Sequence, residues 1–121
     1  MLVKYQLMGE EEVVNCMTAQ QAQDLLHHCL EDGKVVPGRH FREELEKEGV
    51  SFEDAWWVLR SGQVYDPPEM DPKSREWKYR VEGNEPGGKW IVIVFCFKAI
   101  DTTFLITIFS VECRRRESPE K

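Results

Sequence analysis

His40, Lys78 and Arg80 are the side chains of this sequence best suited to chemistry. His40 stands near the head of RHFREELEKEG. An imidazole titrates near neutrality, so at the mouth of a helix it is a candidate general acid or base. Lys78 and Arg80 are separated by one residue in EWKYRVEG, and on a strand that spacing puts both on one face. The planar fork of Arg beside the mobile point charge of Lys suits a phosphate. The plainer alternatives are a His40 packed at the helix start or paired with Glu43 or Glu44, and a solvated strand edge where Glu82 offsets the two cations.

Other clusters carry less. Asp24, His27, His28 and Cys29 bring ligand-type side chains close in sequence, but adjacent residues on a helix point in different directions, so no metal site is expected. Cys16, Cys29, Cys96 and Cys113 lie far apart with no C-x-x-C pair, so neither a disulfide nor a zinc framework is expected. NEPGG lacks the lysine and the strand-to-helix setting of a phosphate loop and reads as turn geometry. Trp56 and Trp57 cannot both face a core, which makes one of them a candidate partner anchor, with plain partial burial of both as the simpler reading.

The elements that must position these residues fit one domain. A chain of 121 residues is long enough to bury a core without disulfides or a structural metal. No apolar run of about 18 residues and no secretory leader are seen, so a cytoplasmic protein without membrane contact is expected. The formal charge of −6 opposes non-specific attraction to a phosphate backbone. Residues 1–76 carry 8 basic and 16 acidic side chains, while residues 77–121 carry 8 and 6. The second half is therefore the anion-facing half.

Residues 1–16 form an uncertain leader, residues 17–112 the domain and residues 113–121 a flexible tail. Thr18 with Gln21 makes a capping-box pattern opening a helix over about 18–32, which Gly33 stops. KVVPG reads as an extended connector. A second helix is predicted over 39–48, with Gly49 as its stop. Ser51 with Asp54 starts a third, ending at Gly62. Strands are predicted at 63–66, 76–83, 89–98 and 103–111, with the polar stretch EMDPKSR as a flexible loop. The expected fold is α+β: three helices on one face of a four-stranded, mainly antiparallel sheet.

Side chains alternate across a strand, so the pairing register decides which set meets the helices. A tight turn at AIDT pairs Lys98 with Thr103. Ile91, Ile93, Phe95 and Phe97 then share the helix-covered face with Phe104, Ile106 and Ile108, joined by Trp77, Tyr79 and Val81. The second face collects Lys78, Arg80, Glu82, Trp90, Val92, Val94, Cys96, Leu105, Thr107 and Phe109. That is an apolar floor with a charged edge, and a bare patch of this kind meets a ligand or a partner.

The helix-opening histidine, the Gly-Val-Ser spacer, the Trp-bearing helix ending in Gly, W-x-Y-R-V-x-G and a last strand with I-T-I together resemble the family called domain of unknown function 4258. It looks related in turn to the RelE/ParE-like toxin superfold, including MqsR-type messenger-RNA interferases. The likeness covers about 34–111 and implies a small α+β domain. For a toxin-type, metal-independent endoribonuclease it implies Lys78 and Arg80 on the scissile phosphate, His40 transferring protons, and Thr107 and Tyr79 as substrate contacts. Glu44 and Glu48 stand where the family pattern commonly carries arginine, and acids there repel a phosphate. The leading expectation is therefore a protein-binding or regulatory module, or a self-associating one. It uses the second sheet face, with Trp57, Trp90, Leu105 and Phe109 as partner contacts and no cofactor. RNA cleavage is the alternative.

Overall fold

A computed structural model describes residues 16–111. Most of the expected leader, the tail over 113–121 and Cys113 lie outside the described residues. Helix α1 (Ala19–Asp32) begins at Thr18, whose hydroxyl accepts the Gln21 N–H while Gln21 Oε1 accepts the Thr18 N–H, so the capping box forms at both contacts. Helix α2 (Arg39–Glu48) ends at Gly49, whose φ of 69° lies in the left-handed region that glycine enters without penalty. Helix α3 (Phe52–Ser61) begins at Ser51, whose Oγ accepts the Asp54 N–H at 3.0 Å.

Five strands, not four, make the sheet: β1 (Lys34–Pro37), β2 (Glu69–Met70), β3 (Trp77–Asn84), β4 (Trp90–Ala99) and β5 (Thr102–Val111), in the order β1-β5-β4-β3-β2. The sheet is mixed. The segment read as a connector, KVVP, pairs parallel to β5, with Lys34 N–H donating to Asp101 O at 2.7 Å and Gly38 N–H to Leu105 O at 3.0 Å. Its run of only four residues and its proline hid it from a strand-length reading. The same proline leaves one donor fewer on the outer edge, a feature that resists edge-to-edge pairing. The strand expected over 63–66 is reduced to one antiparallel bridge, Gln63 to Glu82. The pairing strand lies later, at β2, inside the stretch read as loop.

The register of the β4–β5 hairpin differs from expectation. Ala99 pairs with Thr102 and Phe97 with Thr103, so Lys98 is passed over. A second irregularity between Val94 and Phe95 leaves Ile106 unpaired. Each extra residue inverts the alternation, and two of them restore it. Leu105, expected on the second face, therefore opposes Phe95 and is 0% exposed in the helix-covered core, while Phe104 opposes Cys96 on the other face. Beyond Ile106 the expected assignment returns, with Ile108 in the core opposite Ile93.

The core lies between the helices and this face. Ala22, Leu25, Leu26 and Cys29 of α1, Phe41 and Leu45 of α2 and Ala55, Val58 and Leu59 of α3 meet Tyr79, Val81, Ile91, Ile93, Phe95, Phe97, Leu105 and Ile108. Glycine permits the closest approach. A Cβ on Gly62 would stand 2.7 Å from Glu82 O, and one on Gly83 would stand 3.1 Å from Gly62 Cα. The end of α3 thus rests on β3 backbone to backbone. Glu48 ties α2 to β5, its Oε1 accepting from the Ser110 N–H at 3.2 Å and the Ser110 hydroxyl at 2.7 Å.

The bulged register has a direct thermodynamic test. Leu105→Ala should lower unfolding stability by about 2–5 kcal/mol in urea denaturation, the cost of a core cavity. A loss below about 0.5 kcal/mol, the size of an ordinary surface change, would return Leu105 to the second face.

Candidate binding groove on the second sheet face

The face away from the helices is not bare. Its central strand contributes Trp90, Val92, Val94 and Cys96, all buried yet outside the helix-covered core. Trp90 is 6% exposed, and its indole N–H donates to Glu82 Oε1 at 3.1 Å. As placed, Trp90 braces the sheet and offers little surface to a partner.

Beside this strand lies a groove of about 500 Å³, lined by Asp66, Pro67, Pro68, Glu69, Lys78, Arg80, Val94, Ile106, Thr107 and Phe109. Its floor is apolar because Val94 and Phe109 point away from the helices and the bulge turns Ile106 toward it. Its wall is the segment between the Gln63 bridge and β2. Two consecutive prolines there have no N–H to pair, which holds the chain off the β3 edge. Pro67-Pro68, expected only to stop a strand, thus also builds the groove wall. The sequence signal for it is a proline-stiffened segment flanked by Asp66 and Glu69, two acids that line the groove.

Lys78 and Arg80 both line the groove, as their spacing implied, but their settings differ. Lys78 Nζ lies 3.6 Å from Asp71 Oδ1. Asp71 is held below the usual carboxylate range chiefly by the Ser74 hydroxyl and N–H, with Lys78 adding to the effect. Arg80 is exposed and makes no ion pair among the described residues. Nearby, Glu76 accepts from Lys98 and from the Cys96 thiol, and Lys98 Nζ sits 5.2 Å from the centre of the Phe104 ring. The Glu76 contact raises the Lys98 pKa. Burial, with Glu76 adding to it, pushes the Cys96 thiol up to about 11.

Four of the residues singled out in the sequence therefore come together here: Lys78, Arg80, Thr107 and Phe109. Others do not join them. Tyr79 points into the core, where its hydroxyl accepts the Met17 N–H at 3.1 Å and its ring stacks on Phe95. Leu105 is in the same core. His40 is exposed at the start of α2, the helix that packs on β5, and is not among the residues lining the groove. Trp57 is 47% exposed on α3, on the helical side. Glu48, noted for its charge, is engaged with Ser110. Among the described residues no three His, Cys, Asp or Glu side chains gather as metal ligands, and no helix is long and apolar enough to cross a membrane.

Comparison with protein-family models, with curated proteins and with solved structures yields no match. The likeness to domain of unknown function 4258 rests on the sequence motifs alone.

The buried thiol yields a pH prediction. A Cys96 pKa raised from 9.0 to about 11 means the unfolded chain releases this proton first. The thiol's contribution is thus intact below pH 9 and is lost as pH rises toward 11, by up to roughly 2–3 kcal/mol. Cys96→Ala should flatten the fall in stability over that window relative to the parent protein, read by urea denaturation at stepped pH. Identical slopes would show that Cys96 is not desolvated.

Proposed function

We propose that this domain is a protein-binding module that holds an extended polypeptide segment in the groove of its second sheet face. The supporting observation is Arg80. Its guanidinium has no ion-pair partner among the described residues and borders a floor of Val94, Ile106 and Phe109. A cation beside an apolar floor suits a segment carrying a carboxylate next to a large apolar side chain. The planar fork then pairs with the acid while the floor takes up apolar area. Asp66 and Glu69 on the wall would select against purely acidic segments by like-charge repulsion.

One observation favours a second reading, cleavage of RNA: Lys78, Arg80 and Thr107 border the same groove. That reading is the weaker. His40, the proton-transfer candidate it drew on, is not among the groove residues, and the chain carries a charge of −6. Fold-level likeness does not supply an activity by itself.

Selection from a displayed random-peptide library against the full chain tests the proposal. Enriched peptides should pair an acid with a neighbouring bulky apolar residue. Arg80→Ala should weaken their binding by about 1.5–3 kcal/mol, roughly a tenfold to 150-fold rise in Kd, the worth of a charge-assisted hydrogen bond. Its melting temperature should be unchanged. Peptides insensitive to Arg80→Ala would sink the reading, and Arg80-dependent cleavage of labelled RNA at low salt would replace it with the second.

A further inference from the structure

Helix α3 carries an apolar stripe that the core covers only in part, Trp56 packing against it along one edge. Ala55, Val58 and Leu59 face inward. On the opposite side stand Glu53, Trp57 and Arg60, all exposed, with Phe52 and Trp56 beside them. Phe52 is 45% exposed, and its ring lies 5.9 Å from that of Trp56, centre to centre. So much aromatic surface on the outer side of a ten-residue helix is unlike the scattered apolar residues of an ordinary surface. A hollow of about 410 Å³ between Phe52, Glu53, Trp56 and Arg60 adjoins one of about 230 Å³ between Trp56, Arg60 and the α1 residues His27, Leu30 and Glu31.

The charges on this stripe identify the occupant. Glu53 and Arg60 lie two helical turns apart on one face, and neither makes an ion pair among the described residues. The midpoint between them falls between Trp56 and Trp57. A two-fold axis through that point lays α3 antiparallel on its own copy, setting Glu53 of each chain opposite Arg60 of the other. In an isologous interface every contact occurs twice, so both charges of both chains are paired at once. The tryptophans meet at the centre, and Trp57 of one copy enters the hollow beside Phe52 and Trp56 of the other.

We infer that the outer face of α3 is a self-association surface whose partner is a second copy of this chain, paired antiparallel through Trp56 and Trp57 with reciprocal Glu53–Arg60 contacts. It is separate from the sheet groove and does not rest on the function proposed for that groove. Aromatic anchors ringed by charged residues match the build of binding hot spots. A short helix pair with its flanking hollows falls at the low end of specific interface sizes, so the dimer exchanges with monomer. Repulsion between two chains of charge −6 is screened beyond about 8 Å at physiological salt.

Sedimentation velocity over the low to high micromolar range tests the pairing. The parent chain should shift from monomer to dimer as concentration rises. Glu53→Arg and Arg60→Glu, each made alone, turn both reciprocal contacts into like-charge pairs and should raise the dissociation constant by roughly tenfold or more. Mixed in equal amounts, the two variants regain opposite charges at both contacts and should dimerise as the parent does. Unchanged circular dichroism melting shows that each is folded. A parent chain that stays monomeric, a dimer indifferent to both substitutions, or variants that fail to associate on mixing would each overturn the inference.

Discussion

Pairing between β4 and β5 is the constraint on which the rest of the molecule depends. β4 is flanked by a long strand on each side, and nearly every one of its side chains is buried. Its partner must therefore present apolar groups to both faces in step with it. The two irregularities, at Lys98 and at Ile106, make this possible. Passing over Lys98 leaves its ammonium at the surface, where it reaches Glu76 and the Phe104 ring, and brings Leu105 beneath the helices. The bulge at Ile106 then returns Ile108 to the core and gives the second face an extra apolar residue. Without the first shift Leu105 would leave the core; without the second Ile108 would.

The groove is a consequence of that register combined with a stiff segment. Val94 and Phe109 make a floor only because the bulge keeps Phe109 on the side of Val94, and the wall stands away from β3 because Pro67 and Pro68 cannot join the ladder. Lys78 and Arg80 are adjacent on one face for the simplest of reasons, the two-residue repeat of a strand. Their environments are set by different neighbours. Asp71 in the β2–β3 turn approaches Lys78, whereas the wall passes Arg80 without a described ion pair. Geometry so local turns two similar cations into one partnered and one available.

Acidic residues turn out to have distinct duties. Glu48 clasps β5 through Ser110, Glu82 holds the Trp90 indole, and Glu76 joins β3's approach to β4 through Lys98 and Cys96. Glu82 is buried and Glu48 and Glu76 are half-buried, and each contact gives a polar group a partner where water is partly or wholly excluded. For Glu48, expected from its charge to repel a phosphate, the structure adds a second duty in the hold on Ser110.

Much was legible in the residues themselves. Thr18 with Gln21, Ser51 with Asp54, and the stops at Gly33, Gly49 and Gly62 marked three helices, because a cap is a contact between residues at most a few positions apart. The apolar runs marked β3, β4 and β5, and their alternation sorted most side chains into two sets. Three things were decided only in three dimensions. The parallel pairing of KVVP depends on where β5 lies, the wall of the groove on where a proline-stiffened segment is laid, and the face of Leu105 on one passed-over residue. Alternation is a property of a single strand and can be read locally. Its phase relative to a neighbour is set by pairing and burial across the sheet, and one extra residue in the ladder reverses it without changing the sequence pattern.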